Sequence, residues 1–159
     1  MVREGVLAGI STYVNSLTSS ETRTWTVANS LTVQLNDAWS EIYSASGQEI
    51  EGYSNELGTG RSIQIESTSL YGSQSPDQAI FGEYSTYTKT GDAPSVTIGG
   101  RTPDYSTSFS EPTTPTSYGN VWCFTSEGVC VFYRGAHSLT EAQPSAALQE
   151  VFTTATWSS

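Results

Sequence analysis

Basic side chains are scarce in this sequence: a single Lys and five Arg stand against 16 Asp and Glu, for a net charge of −10. A surface of that sign repels a phosphate backbone and an anionic lipid leaflet, which argues against nucleic acid as a partner. Histidine occurs once, at His137. No His/Cys metal cluster can be built around it, and no G-x-S-x-G elbow is present to supply an activated serine. Gly58-Thr59-Gly60 lacks the GK[ST] that a phosphate loop needs. Asp77, Asp92 and Asp104 are oxygen donors in loops, but their spacing is not that of an EF-type calcium loop. The expectation is therefore no catalytic residue, no metal and no cofactor. Long apolar runs are also missing. Nothing approaches the ~20 residues of a spanning helix, and Met1–Leu17 has Gly and polar residues where a signal peptide's apolar region would lie. Either export is unconventional or a leader has been removed.

What is abundant points to strands. About three residues in ten are Ser or Thr, and four Trp, nine Tyr and five Phe accompany them. So many aromatics oppose disorder, and low charge with Thr, Tyr and Trp suits a pleated surface. The clearest element is Gly119–Gly135, GNVWCFTSEGVCVFYRG. Two apolar runs flank Thr125-Ser126-Glu127-Gly128, which reads as a β-hairpin. A four-residue loop sets Cys123 opposite Cys130; a three-residue loop would turn Cys130 to the other face. The four-residue register puts Trp122, Phe124, Val129, Val131 and Tyr133 on one face. It puts Val121, both cysteines and Phe132 on the other. Both faces are largely apolar, so the pair belongs inside a sheet with something packed on each side. The close cysteines favour one disulfide, and with it a secreted protein, over two buried thiols.

Along the chain, Met1–Leu17 has helical spacing and reads as a short amphipathic helix, either capping the domain or free to meet a membrane. Thr24–Val27, Leu31–Gln34 and Arg61–Ser67 alternate as strands. Gln48–Gly60 reads as a polar loop, Ala79–Thr88 as a strand with a bulge at Gly82, Lys89–Pro94 as a hairpin loop and Val96–Ile98 as its return strand. Gly99–Tyr118 is the longest irregular stretch. Pro144 could open a helical turn over Ala146–Val151, with Val151–Trp157 alternating as a last strand. Short strands separated by turns describe one all-β domain over residues 1–159, an antiparallel β-sandwich with a short N-terminal helix.

The binding signal lies in Gly99–Tyr118, where Arg101, Tyr105, Phe109 and Tyr118 sit among turn residues. Aromatics on a long loop suit a sugar face or a lipid head group; the alternative is that these rings pack beneath their own loop. The order of elements also resembles a family. Trp25 with Ser46-Gly47, Ile63 and Ile65 before Tyr71–Ser73, Phe81–Tyr84, Thr90–Asp92, Val96 and Ile98, and the Pro103–Ser106 loop follow an order and turn types that resemble those of the actinoporin and fungal-lectin cytolysin sandwich. The W-C-F…V-F-Y-R-G hairpin resembles the small, acidic aegerolysins. The resemblance implies a membrane-lipid or carbohydrate ligand, in some cases lysis through the N-terminal helix, and places Pro103, Tyr105 and Ser106 in the head-group loop. The clustered lysines and tyrosine-rich patch of the actinoporins are missing.

The sequence thus points to a non-enzymatic, secreted β-sandwich that binds a membrane lipid or a glycan through Arg101, Pro103, Tyr105, Ser106, Phe109 and Tyr118, with membrane lysis and homo-oligomer formation compatible with it. The rivals are a self-assembling surface or particle protein, and a glycan-active enzyme using two carboxylates.

Overall fold

The computed structural model describes residues 23–45, 47–54, 61–113, 115–136 and 144–158. The elements are β1 (Arg23–Val27), β2 (Leu31–Leu35), β3 (Trp39–Ala45), β4 (Glu49–Ser54), β5 (Ser62–Ser67), a 3₁₀ turn at Thr68–Tyr71, and α1 (Pro76–Phe81). They continue with β6 (Thr88–Gly91), β7 (Tyr105–Glu111), β8 (Ser117–Phe124), β9 (Val129–Ala136), α2 (Ala146–Thr154) and β10 (Thr156–Trp157). Seven strands form one sheet in the order β3-β4-β5-β9-β8-β7-β6, and three form another, β1-β2-β10. Every pairing is antiparallel. The all-β, antiparallel expectation holds. The segment expected as an N-terminal helix, residues 1–17, and His137 lie outside the described residues.

The β8–β9 hairpin is central to the larger sheet, as its two apolar faces require. Gly128 closes the turn at φ +74°, a conformation that costs glycine little. Its amide donates to the Phe124 carbonyl at 2.9 Å. This four-residue turn pairs Phe124 with Val129 and Cys123 with Cys130, and the cysteines form a disulfide with their Cα atoms 4.1 Å apart. The first face, Trp122, Phe124, Val129, Val131 and Tyr133, enters a core shared with Leu31, Val33 and Leu35 of the smaller sheet. Helix α2 closes that core with Leu148, Val151 and Phe152, an i, i+3, i+4 stripe. The Phe152 ring meets Trp122 edge-on at 5.3 Å. On the second face Val121, the cysteines and Phe132 join Phe109 and Ile80 in a separate cluster, flanked by Tyr71, Phe81, Tyr87 and Tyr105.

Several local expectations are corrected. Ala79–Thr88 is not a strand: α1 begins at Pro76 and ends at Phe81, followed by irregular chain. The Ser75 hydroxyl accepts from the Gln78 amide at 3.2 Å and the Gln78 side chain accepts from the Ser75 amide at 3.0 Å. That reciprocal box, with Pro at the first helical position, overrides the strand propensity of the residues behind it. Thr88–Gly91 pairs with β7 instead of forming a hairpin loop. Val96–Ile98 is not a return strand; Ile98 forms a lone bridge to Arg101. That stretch is pinned to the core by indole donors, Trp122 to the Pro94 carbonyl at 3.0 Å and Trp157 to the Ile98 carbonyl at 2.8 Å. The polar stretch Gln48–Gly60 contains β4, whose inward positions are Ile50 and Gly52; a Cβ on Gly52 would stand 3.0 Å from Leu35 Cδ1. Gly99–Tyr118, read as irregular, contains β7. Pro144 precedes the Ser145 N-cap of α2, and the expected last strand shrinks to Thr156–Trp157 because Val151–Thr154 completes the helix.

Opening the Cys123–Cys130 bridge, by reductant or by paired substitution to Ala, is expected to lower stability by about 2–3 kcal/mol, since it closes a loop of fewer than ten residues. Urea unfolding with and without reductant checks this; identical midpoints would show that the hairpin's pairing alone restrains the chain.

Candidate functional site

The six residues expected to line one ligand-binding loop are not brought together. Phe109 is 1% exposed and stacks on Tyr87 at 4.6 Å, within 6.4 Å of Phe132. Alternation along β7 sends Tyr105 to that same second-face cluster and leaves Ser106 exposed. Tyr118 packs against the main core. Pro103 is half-buried. Arg101 is held at the end of the hairpin, paired with Glu127 at 3.0 Å and lying over the Trp157 ring at 5.0 Å. Phe109 and Tyr105 pack inward against Ile80, Phe81 and Tyr87 of the 68–87 stretch, not beneath their own segment, and the Tyr105 hydroxyl donates to Asp77 Oδ1 at 2.8 Å.

A different place has the shape of a site. Where the 68–87 excursion crosses the second face of the larger sheet, it leaves a cleft of about 520 Å³. The sheet contributes Gln64 and Glu66 from β5, Phe132 and Arg134 from β9, and Glu111 from β7. The excursion contributes Tyr71, Gln74, Gln78, Glu83, Tyr84 and Tyr87. The excursion is fixed at one end by α1, where Asp77 is ion-paired with Lys89 of β6 and accepts from Tyr105 of β7. Lys89 also lies over the Phe81 ring at 5.3 Å. The lysine's hydrogen bond, then that of Tyr105, lowers the Asp77 pKa. Tyr84, at the cleft's rim, is 93% exposed.

The floor is a polar network. Gln64 donates to Glu49 and, at 3.1 Å, to Glu66, and accepts from Arg134 at 2.9 Å. Arg134 also faces Glu111 at 3.6 Å and Glu51 at 3.8 Å, and its guanidinium lies 5.7 Å from the Tyr87 ring centre. Burial raises the Glu66 pKa; Tyr71 opposes that shift, Glu49 adds to it, and Arg134 opposes it more weakly. The Tyr71 hydroxyl is buried and meets no acceptor at full hydrogen-bonding geometry, although the Glu66 carboxyl is its near neighbour. Burial is also the main cause of the raised pKa values of Tyr71 and Tyr87, so both phenols stay neutral. Planar amides, carboxylates and tyrosine rings around one hollow can hydrogen-bond hydroxyls and stack on an apolar sugar face. Among the described residues no group of three His, Cys, Asp or Glu could hold a metal ion. Asp104 is instead bound to the Thr125 amide at 2.8 Å and to its hydroxyl.

Sequence reasoning had placed Gln64 and Glu66 outward on their strand and had required a cover over the Val121–Phe132 face. It did not identify the cover as 68–87, so Tyr71, Tyr84 and Tyr87 were missed. No family model matches the chain, and no curated protein matches it at a significant level.

Phe109→Ala is expected to destabilise by about 3–5 kcal/mol, as for a fully buried ring, whereas Ser106→Ala shifts a urea midpoint little. Glu66→Gln is expected to be more stable than the parent at neutral pH. A raised folded pKa favours the protonated form, so the parent's stability falls as pH rises through that value. Melting temperatures of the two should converge on acidification; a constant gap would place the effect in packing, not ionisation.

Proposed function

We propose that this protein is a binding module, a β-sandwich built from the two sheets, whose ligand seat is the cleft beneath residues 68–87. The observation that carries this reading is one hollow that combines exposed and half-buried tyrosines with glutamine and glutamate side chains on a rigid sheet. That is the chemistry of glycan recognition: ring faces for stacking, planar polar groups for hydroxyls. The ligand class stays the one that the sequence suggests, with the cleft beneath residues 68–87 as the seat in place of the Arg101–Tyr118 segment. The disulfide, and the lack among the described residues of a helix long and apolar enough to cross a membrane, are compatible with a secreted protein.

A second reading, a lipid head group, is favoured by one observation. Among the described residues, the exposed large apolar side chains are Leu70, 51% exposed, and Tyr84, and both lie on the excursion that covers the cleft. Such side chains could rest at a bilayer surface while a head group enters the hollow. In this reading the segment at residues 1–17 would be the element that enters the bilayer.

A glycan array followed by calorimetry, with liposome cosedimentation in parallel, tests both. Tyr84→Ala should weaken glycan binding roughly three- to tenfold, the worth of one aromatic contact, with no change in melting temperature. Leu70→Asp should matter only for liposomes. No binding to any glycan or liposome would remove the proposal.

A further inference from the structure

We infer that the cleft selects glycans carrying protonated amino groups over neutral ones and rejects acidic sugars and phosphate-bearing head groups. This rests on the cleft being the ligand seat, and goes beyond it by assigning the ligand's charge.

The charge balance of the lining is the starting point. Glu66, Glu83, Glu111 and Arg134 line it, three formal negative charges against one positive, for a local excess of −2. Glu49 and Glu51 stand immediately behind, joined to Gln64 and Arg134. A hollow with low-dielectric walls concentrates such a field, and the net charge of −10 has the same sign. A cation is drawn in and an anion is opposed before any contact is made.

The guanidinium does not reverse this, because Gln64 and two carboxylates already surround it. Its Nη1 donates to Gln64 at 2.9 Å and stands 3.8 Å from Glu51, its Nη2 stands 3.6 Å from Glu111, and its Nε is buried without a hydrogen-bond partner. A bidentate anion would need two of those donors in the fork geometry that gives arginine its strength toward phosphate and carboxylate. It would have to strip Arg134 from Gln64 and from its carboxylates, and would leave those carboxylates unpaired. Lys89, the neighbouring base, is committed to Asp77 and lies over Phe81. Among the described residues lining the cleft, no positive charge is therefore left open to an incoming anion.

The aromatic lining works in the same direction. Tyr84 projects from the rim, while Tyr87, stacked on Phe109, already has the Arg134 guanidinium 5.7 Å from its ring centre. A ring face draws an ammonium group electrostatically. A bare divalent ion is not the better occupant, since among the described residues no three acidic or imidazole groups converge on a point. A sugar ring with an amino substituent matches the lining: hydroxyls to Gln74 and Gln78, the ring to tyrosine, the ammonium to glutamate.

The test uses the full chain and calorimetry with three oligosaccharide series of equal length: glucosamine, N-acetylglucosamine and glucuronic acid oligomers, at a pH where the amine is protonated. Inorganic phosphate and phosphocholine vesicles form separate arms. The expected order is amino over neutral by about tenfold at low salt, with the preference falling as ionic strength rises, and no binding of the acidic series, phosphate or vesicles. Glu83→Gln, a loop substitution that should not disturb folding, is expected to cut the amino preference several-fold and to weaken its salt dependence. Equal affinity for amino and neutral oligomers, insensitive to salt and to Glu83→Gln, would overturn the charge assignment and leave the glycan reading intact. Tighter binding of the acidic series, phosphate or vesicles would overturn it outright. Loss of all glycan binding would remove both.

Discussion

A hairpin that is apolar on both faces has to be covered twice, and most of this molecule follows from meeting that requirement. Trp122, Phe124, Val131 and Tyr133 are covered by the smaller sheet and α2. Val121, Cys123, Cys130 and Phe132 are covered by the excursion that carries Ile80. Leaving either face wet would forfeit roughly 1.5–3 kcal/mol for each large side chain, several times the stability margin contributed by any single hydrogen bond in the structure. The four-residue turn matters for the same reason. A slip of one residue would exchange the two sets of side chains and separate the sulfur atoms.

The second cover is the smaller of the two, and its incompleteness produces the cleft. It spans the β7–β8–β9 part of the sheet, where the side chains are apolar. Toward β5 and β4 the same face becomes polar, with Gln64 and Glu66 on one strand and Glu49 and Glu51 on the next. Charges at such a border are tolerated because each finds a partner and keeps some contact with water. Gln64 serves as the connector, donating to two carboxylates and accepting from Arg134. Glu66, the carboxyl most affected by burial, has its pKa raised as a consequence of lying under the edge of the cover.

The cover is also anchored asymmetrically. At the α1 end it is held by the capping box, by Asp77 between Lys89 and Tyr105, and by Ile80 in the second cluster. At the Tyr84 end, the same segment extends into solvent. A rigid floor beside a rim aromatic is a common arrangement for recognising small polar ligands, in which the floor sets orientation and the rim adds contact area.

The sequence by itself determined the strand-rich class, the β8–β9 hairpin, its register, the cysteine pairing and the alternation of β2 and β5. Each of these is encoded within a dozen neighbouring residues, by turn chemistry and a period of two. The start of α2 after Pro144 was legible for the same reason, whereas its last turn, Val151–Thr154, read as strand. The serine, proline and glutamine opening α1 were equally local, yet the aromatic residues behind them favoured a strand reading. Only the tertiary structure decided that Phe109 lies inside, that β4 fits against Leu35 through a glycine, and that Gln64, Glu111, Arg134 and Tyr84 line one hollow. Those four come from distant parts of the chain, and what places them together is the order of strands and the path of a covering segment. Both depend on which surfaces best exclude water across the whole molecule, a global balance that no local pattern records.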